Sequence, residues 1–164
     1  RGEAKVFEFL VLEGAQAGLS WITVLRKRES YRRVFADFNV EVVSRFTEDD
    51  FARLMNEDGI VRNRAKIMSA QSNAYCFMQV QSEFGSFSEY LWNFFKGEPL
   101  VNCWQDIGQV PSKTKMSQLI SQDMMARGFK FFGPTICYSY LQAMGFINDH
   151  LEYCFRWSEC QTSY

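Results

Sequence analysis

The chain has 164 residues, 47% of them hydrophobic, with a formal net charge of −1. That suits one domain burying roughly 70% of its unfolded surface, and the charge alone says nothing in favour of nucleic acid. Sixteen Phe, seven Tyr and four Trp against three Pro and ten Gly argue against disorder and against a turn-rich β protein. No charge-free apolar run reaches the roughly 18–20 residues of a membrane span and no signal peptide is visible, so a soluble, intracellular protein is expected. Five cysteines, odd in number and irregularly spaced, read as reduced thiols or metal ligands rather than a disulfide framework. The first residue is Arg1, already inside a helical pattern, so a further N-terminal piece is expected.

Apolar spacing of three and four predicts helices over residues 3–16 and 20–29, then a short one over 31–38. Across these lies a largely apolar stretch, residues 7–25, in which the carboxylate Glu13 precedes a small-residue run and Trp21 lies near the end. Such a carboxylate is costly unless paired. Between the two, Gly14-Ala15-Gln16-Ala17-Gly18 lets backbone or a flat ligand come close. One reading is a receptor for a flat cationic ring, with the indole stacking and the carboxylate bonding the ring's edge. The other is a helix whose Glu caps a neighbour and whose Trp fills the core.

Thr47, with Asp50 three places on, predicts the N-cap of a helix running to 55. Gly59 breaks the chain, and a long amphipathic helix follows over 63–84. Residues 86–95 form another helix, with Trp92 and Phe94 expected in the core. Gly97-Glu98-Pro99 opens one long loop to 112, and helices over 115–127 and 134–144 complete the body. There is no repeat, low-complexity tract or linker.

Arg26, Lys27, Arg28, Arg32 and Arg33 make one basic cluster; Arg62, Arg64 and Lys66 a second; Arg127 and Lys130 a third. Separated patches on a neutral protein can follow a phosphate backbone, although each alone also reads as an ordinary solvated face. The segment from Arg127 to Thr135 is a hairpin between helices with Gly128 and Gly133 at its ends and Pro134 at a first helical turn. Outward amides with Lys130 beside them suit a phosphate, though plain helix–helix connections look similar. Finally, His150, the single histidine, precedes Cys154 by four residues. On a helix that spacing puts both on one face, suited to one zinc ion, but no second convincing ligand pair exists.

Five strings, LEGAQAGLSWITVLRKRESY, DGIVRNRAKI, GSFSEYLW, RGFKFFGPTICYSYLQAMG and NDHLEYC, occur in this order within positions 7–154. Together they closely resemble the bacterial type I DNA-3-methyladenine glycosylases of the helix–hairpin–helix DNA-repair superfamily. The resemblance implies an all-α, helix–hairpin–helix glycosylase-like bundle, one domain over 1–164, and a monomer in the bacterial cytoplasm. It implies hydrolytic release of 3-methyladenine from alkylated double-stranded DNA by base flipping, leaving an abasic site. By resemblance Glu13 is the catalytic, base-reading carboxylate and Trp21 the stacking aromatic. Gly18 and Leu19 match the loop beside the gap left by the everted nucleotide, and Gly128, Lys130, Gly133 and Thr135 the DNA-binding hairpin. His150 and Cys154 match two of four ligands to a structural zinc. The other two, a Cys and a His, belong to an N-terminal segment that this chain lacks, together with tyrosines lining the base pocket. Asn148 takes the place where many of the superfamily carry a catalytic Asp, and Asp149 is assigned no catalysis. No lysine signals a Schiff base, so a monofunctional hydrolase is expected. The alternatives are a zinc-stabilised DNA-binding module without catalysis and a helical interaction protein using its aromatic surfaces.

Overall fold

The structure, a computed structural model, describes residues 2–161; Arg1 lies outside them. Its spine is helix α1 (Glu3–Gln16), buried on nearly every side from Val6 to Ala15. A helix apolar all round belongs in the middle of a bundle. Around it pack α2 (Trp21–Leu25), the long α6 (Arg64–Phe84), α7 (Phe87–Phe95) and α9 (Pro134–Ala143). Aromatic rings carry the core between these layers. Phe7 meets Phe77 edge-on at 5.4 Å, and Phe77 stacks on Phe87 at 4.4 Å.

Polar ends of α1 are tied as firmly as its apolar sides. Glu3 accepts bonds from the Phe87 and Ser88 amides, capping the N-terminus of α7 from another helix. The buried Glu8 is gripped by Arg28 and Arg32 of α3 (Arg28–Val34), both at 2.8 Å. Burial alone raises the Glu8 pKa, and the two guanidiniums outweigh it to hold the group below the ordinary carboxylate value.

Several of the remaining helices start behind side-chain caps, the one expected at Thr47 among them. α5 (Glu48–Met55) opens with a reciprocal capping box between Thr47 and Asp50. Asn63 caps α6, Ser86 caps α7 and Thr114 caps α8 (Lys115–Ala126).

Four expectations differ. The helix over 20–29 is two helices, α2 and α3, because Arg28 and Arg32 turn inward to Glu8 while Lys27 bonds the Asp58 carbonyl. The helix over 31–38 stops at Val34. Ala36, Asp37 and Phe38 then run left-handed, with φ of 52°, 50° and 58°, which seats Phe38 against Phe35 in the core. A further helix, α4 (Val40–Ser44), follows behind the Asn39 cap. Trp92 and Phe94 are only half-buried; the core face of α7 is Phe87, Tyr90, Leu91 and Phe95. The long loop is pinned by a two-residue strand, β1 (Leu100–Val101), parallel to β2 (Ile147–Asn148). A short α10 (Phe155–Glu159) ends the described chain, and no helix among the described residues is long and apolar enough to cross a membrane.

Candidate functional site

Glu13 lies near the C-terminal end of α1 and is 4% exposed. Burial pushes the pKa of its carboxyl up to about 7, and no cation or donor among the described residues counters it. Yet no side-chain oxygen or nitrogen sealed from solvent among the described residues lacks a partner, so this unpaired carboxylate opens onto solvent-reached space. A capping role would have given it a partner, and it has none. The buried Tyr140 of α9 faces its field from behind, its hydroxyl donating to the Val6 carbonyl.

The turn after α1 brings α2 back onto it. Gly18 takes φ of +78°, a left-handed value glycine adopts without strain, and the space around it is open. Gln16 donates to the Leu19 carbonyl, and the Leu19 amide returns a bond to the Gln16 carbonyl at 2.7 Å, leaving the Leu19 side chain exposed. Trp21 follows at the first position of α2, half-buried against the core with one part open. The loop is anchored by a residue that the sequence did not mark out for this purpose. Lys66 of α6 donates from Nζ to the carbonyls of Ala15 and Ala17. These are end-of-helix carbonyls without helical partners, where a cation is favourable.

The hairpin is built from both sides. Gly128, at φ of +100°, bonds the Met125 carbonyl while Phe129 N–H bonds that of Met124, the paired bonds of a Schellman C-cap on α8. Asn73 of α6 then takes both backbone groups of Lys130, accepting from its N–H at 2.8 Å and donating to its carbonyl at 3.0 Å. Ser121 donates to the Phe132 carbonyl. Three of the expected outward amides, at 128, 129 and 130, are thus used internally. Those of α9's first turn are capped by no side chain, unlike those of α5 to α8. Gly133 is the N-cap, Pro134 is at the first turn, and Thr135 and the Lys130 side chain are exposed. Phe131, left-handed at φ of +55°, lies with its Cβ and carbonyl 3.6 Å from where a side chain on Gly14 would begin. The end of α1 and the hairpin therefore touch.

The residues after β2 depart from expectation. His150 to Cys154 is not helical: a bridge at Leu151 and a turn separate the two, so they do not share a helix face. His150 is exposed and Cys154 half-buried, and no three His, Cys, Asp or Glu side chains among the described residues converge to hold an ion. The described residues by themselves form no four-ligand zinc site. Asn148 is buried with both ends committed, donating to the Trp157 carbonyl and accepting from the His150 N–H. Asp149 accepts from Asn102, Trp104, Tyr138 and Gln142. Burial raises its pKa, and these four donors reverse that and hold it below the ordinary value. It ties the long loop to α9 and has no capacity left for a water.

The basic clusters are largely neutralised. Arg28 and Arg32 hold Glu8, Arg33 pairs Glu57, Arg62 pairs Asp58, Arg64 pairs Glu48, and Arg127 pairs Glu83 and Asp123. Lys27 and Lys66 bond backbone carbonyls instead, and of the three clusters Arg26 and Lys130 keep side chains with no hydrogen bond or ion pair among the described residues.

The family described as methyladenine glycosylase matches residues 1–157. The DNA-3-methyladenine glycosylase of Haemophilus influenzae is 42% identical over 159 residues, covering 97% of this chain and 84% of that protein. DNA-3-methyladenine glycosylase 1 of Escherichia coli K12 is 43% identical over 150 residues, covering 92% and 80%. A crystal structure of a point variant of 3-methyladenine DNA glycosylase I in complex with 3-methyladenine superposes with a TM-score of 0.91, at 34% identity, over 94% of this chain and 83% of that one.

Proposed function

The chain belongs to the methyladenine glycosylase family, and on that premise we propose that it is an N-glycosyl hydrolase of base-excision repair that releases 3-methyladenine from alkylated DNA. The observation that carries the site assignment is Glu13: a buried carboxylate at the end of the central helix, unpaired, open on one side and followed closely by a half-open indole.

Methylation at N3 makes adenine cationic and weakens its bond to the sugar, because the base then departs neutral. Little protonation of the leaving group is needed. The nucleotide must be flipped out of a duplex, at a few kcal/mol of unstacking, and told apart from normal adenine. Trp21 favours the electron-poor ring by stacking and cation–π attraction. Glu13 accepts hydrogen bonds from the adenine edge, charge-assisted while the base is cationic. Water adds to the anomeric carbon as the C–N bond breaks; the bonding pair leaves with the base, and the water's proton passes to solvent. Asn148 and Asp149 are held by structural partners, which favours a mechanism in which neither activates that water. Leu19, exposed on its tight turn, fills the gap in the duplex, while the free amides of α9, Lys130 and Thr135 hold the backbone. A monomer in the cytoplasm completes this reading.

The test is release of free 3-methyladenine from methylated duplex DNA, with abasic sites accumulating and no strand cleavage. Duplex binding without release would instead mark a DNA-binding module that has lost catalysis. We propose further that His150 and Cys154 contribute to a structural zinc completed outside the described residues. Zinc bound in the purified protein and lost on His150→Ala supports this, and complete absence of metal from active protein contradicts it.

A further inference from the structure

Both halves of the site hang from one helix. Lys66 and Asn73 are seven residues apart on α6, so they share a face about 10 Å apart along the axis. Lys66 grips the carbonyls of Ala15 and Ala17, just after Glu13. Asn73, 4% exposed, grips both backbone groups of Lys130 in the hairpin. Each bonds only main-chain atoms, so each fixes the path of a segment whatever side chains it carries. Gly128 also crowds Cys76 on the same helix, at 3.2 Å from an added Cβ. Where the two held segments meet, Phe131 is left-handed and packed against Gly14. A non-glycine residue stays in that conformation only when its surroundings impose it.

We propose that Lys66 and Asn73 are positioning residues for base excision. Lys66 fixes the base-reading end of α1, so that the everted base meets Glu13 in register, and Asn73 fixes the backbone-gripping hairpin, so that the strand is held. The proposal rests on the roles given above to Glu13 and the hairpin. It assigns the two residues different consequences, because Lys66 holds the base reader and Asn73 holds the clamp.

Single-turnover excision on duplex DNA containing 3-methyladenine, with separate measurement of affinity for undamaged duplex, tests this. Lys66→Met, similar in length but without donors, is expected to slow the step at saturating DNA by roughly 10- to 100-fold, the scale of a misplacement of about 1 Å. Undamaged-duplex affinity stays as in the wild type, and Lys66→Arg, which still offers donors to both carbonyls, recovers most of the rate. Asn73→Leu, close in size, is expected to weaken duplex affinity about tenfold, or about 1.4 kcal/mol, while the rate at saturating DNA stays near the wild type. If Asn73→Leu does not fold, Asn73→Asp reads the same split, since it keeps the bond from the Lys130 N–H and loses that to the carbonyl. Variants that merely melt earlier, with wild-type rate and affinity per active molecule, would overturn the proposal. Glu13→Gln run in parallel separates the two layers. If it excises normally, the assignment of Glu13 is wrong; if it fails while Lys66→Met works normally, the positioning role alone is wrong.

Discussion

An ionised Glu13 gains nothing from the protein around it, because no cation or donor reaches it and burial sets its pKa near 7. The native state therefore holds this proton more tightly than the unfolded chain, where the ordinary value is 4.5. Stability conferred by the neutral form is complete below about pH 4.5 and is lost as pH rises to about 7, in total about 3 kcal/mol at 1.4 kcal/mol per unit. Glu13→Gln should match the wild type in denaturant melts near pH 4.5 and exceed it by up to that amount at pH 8. Equal stability at pH 8 would refute the unpaired carboxylate. A cationic base supplies the missing partner, so kcat/KM should rise with pH through about 7 in the wild type. Glu13 was legible in the sequence because it is an acid in an apolar stretch, next to a run of small residues and close to Trp21. Lys66 and Asn73 were not, since their partners are main-chain atoms about 50 residues away and leave no mark on local spacing.

The helix announced by a side-chain cap, Thr47 with Asp50, opens where the sequence puts it, at α5. A cap bonds residues three apart, so its signal is local. The left-handed run at Ala36, Asp37 and Phe38, the two short parallel strands and the non-helical turn between His150 and Cys154 were hidden for the opposite reason. Each is imposed by contact with distant parts: Phe7 against Phe38, β1 against β2, and Trp104 bridging Leu151. The hairpin offers a test at this scale. Gly128 at φ of +100° closes the cap of α8, and an added Cβ would meet the Cys76 sulfur at 3.2 Å. Gly128→Ala should destabilise the fold by about 1–2 kcal/mol, seen as an earlier thermal transition, and should weaken duplex binding because the clamp shifts. Unchanged stability would show that the backbone there is not held left-handed.

Across the molecule, most of the arginines that suggest a phosphate track instead tie helices together. Glu8 joins α1 to α3 through Arg28 and Arg32, and Arg127 joins α8 to α6 through Glu83. What remains for DNA is a small number of free cations and the open amides of α9, a modest electrostatic footprint in keeping with a net charge of −1. Salt titrations of duplex binding should separate the two kinds of cation. Lys130→Ala should reduce the slope of log affinity against log salt by about 1 and leave stability unchanged. Arg32→Ala should leave the slope unchanged and lower stability, because it strands part of the Glu8 charge. The reverse pattern would mean that the ion-paired face, not the hairpin, meets the phosphates.

The central claim is that Glu13 reads the damaged base, and single-turnover release of 3-methyladenine from methylated duplex by wild type and Glu13→Gln tests it most directly. A fall of roughly 100-fold or more is expected in the Glu13→Gln rate at saturating DNA, with undamaged-duplex affinity unchanged and the fold intact. A Glu13→Gln variant that releases the base at the wild-type rate would contradict it.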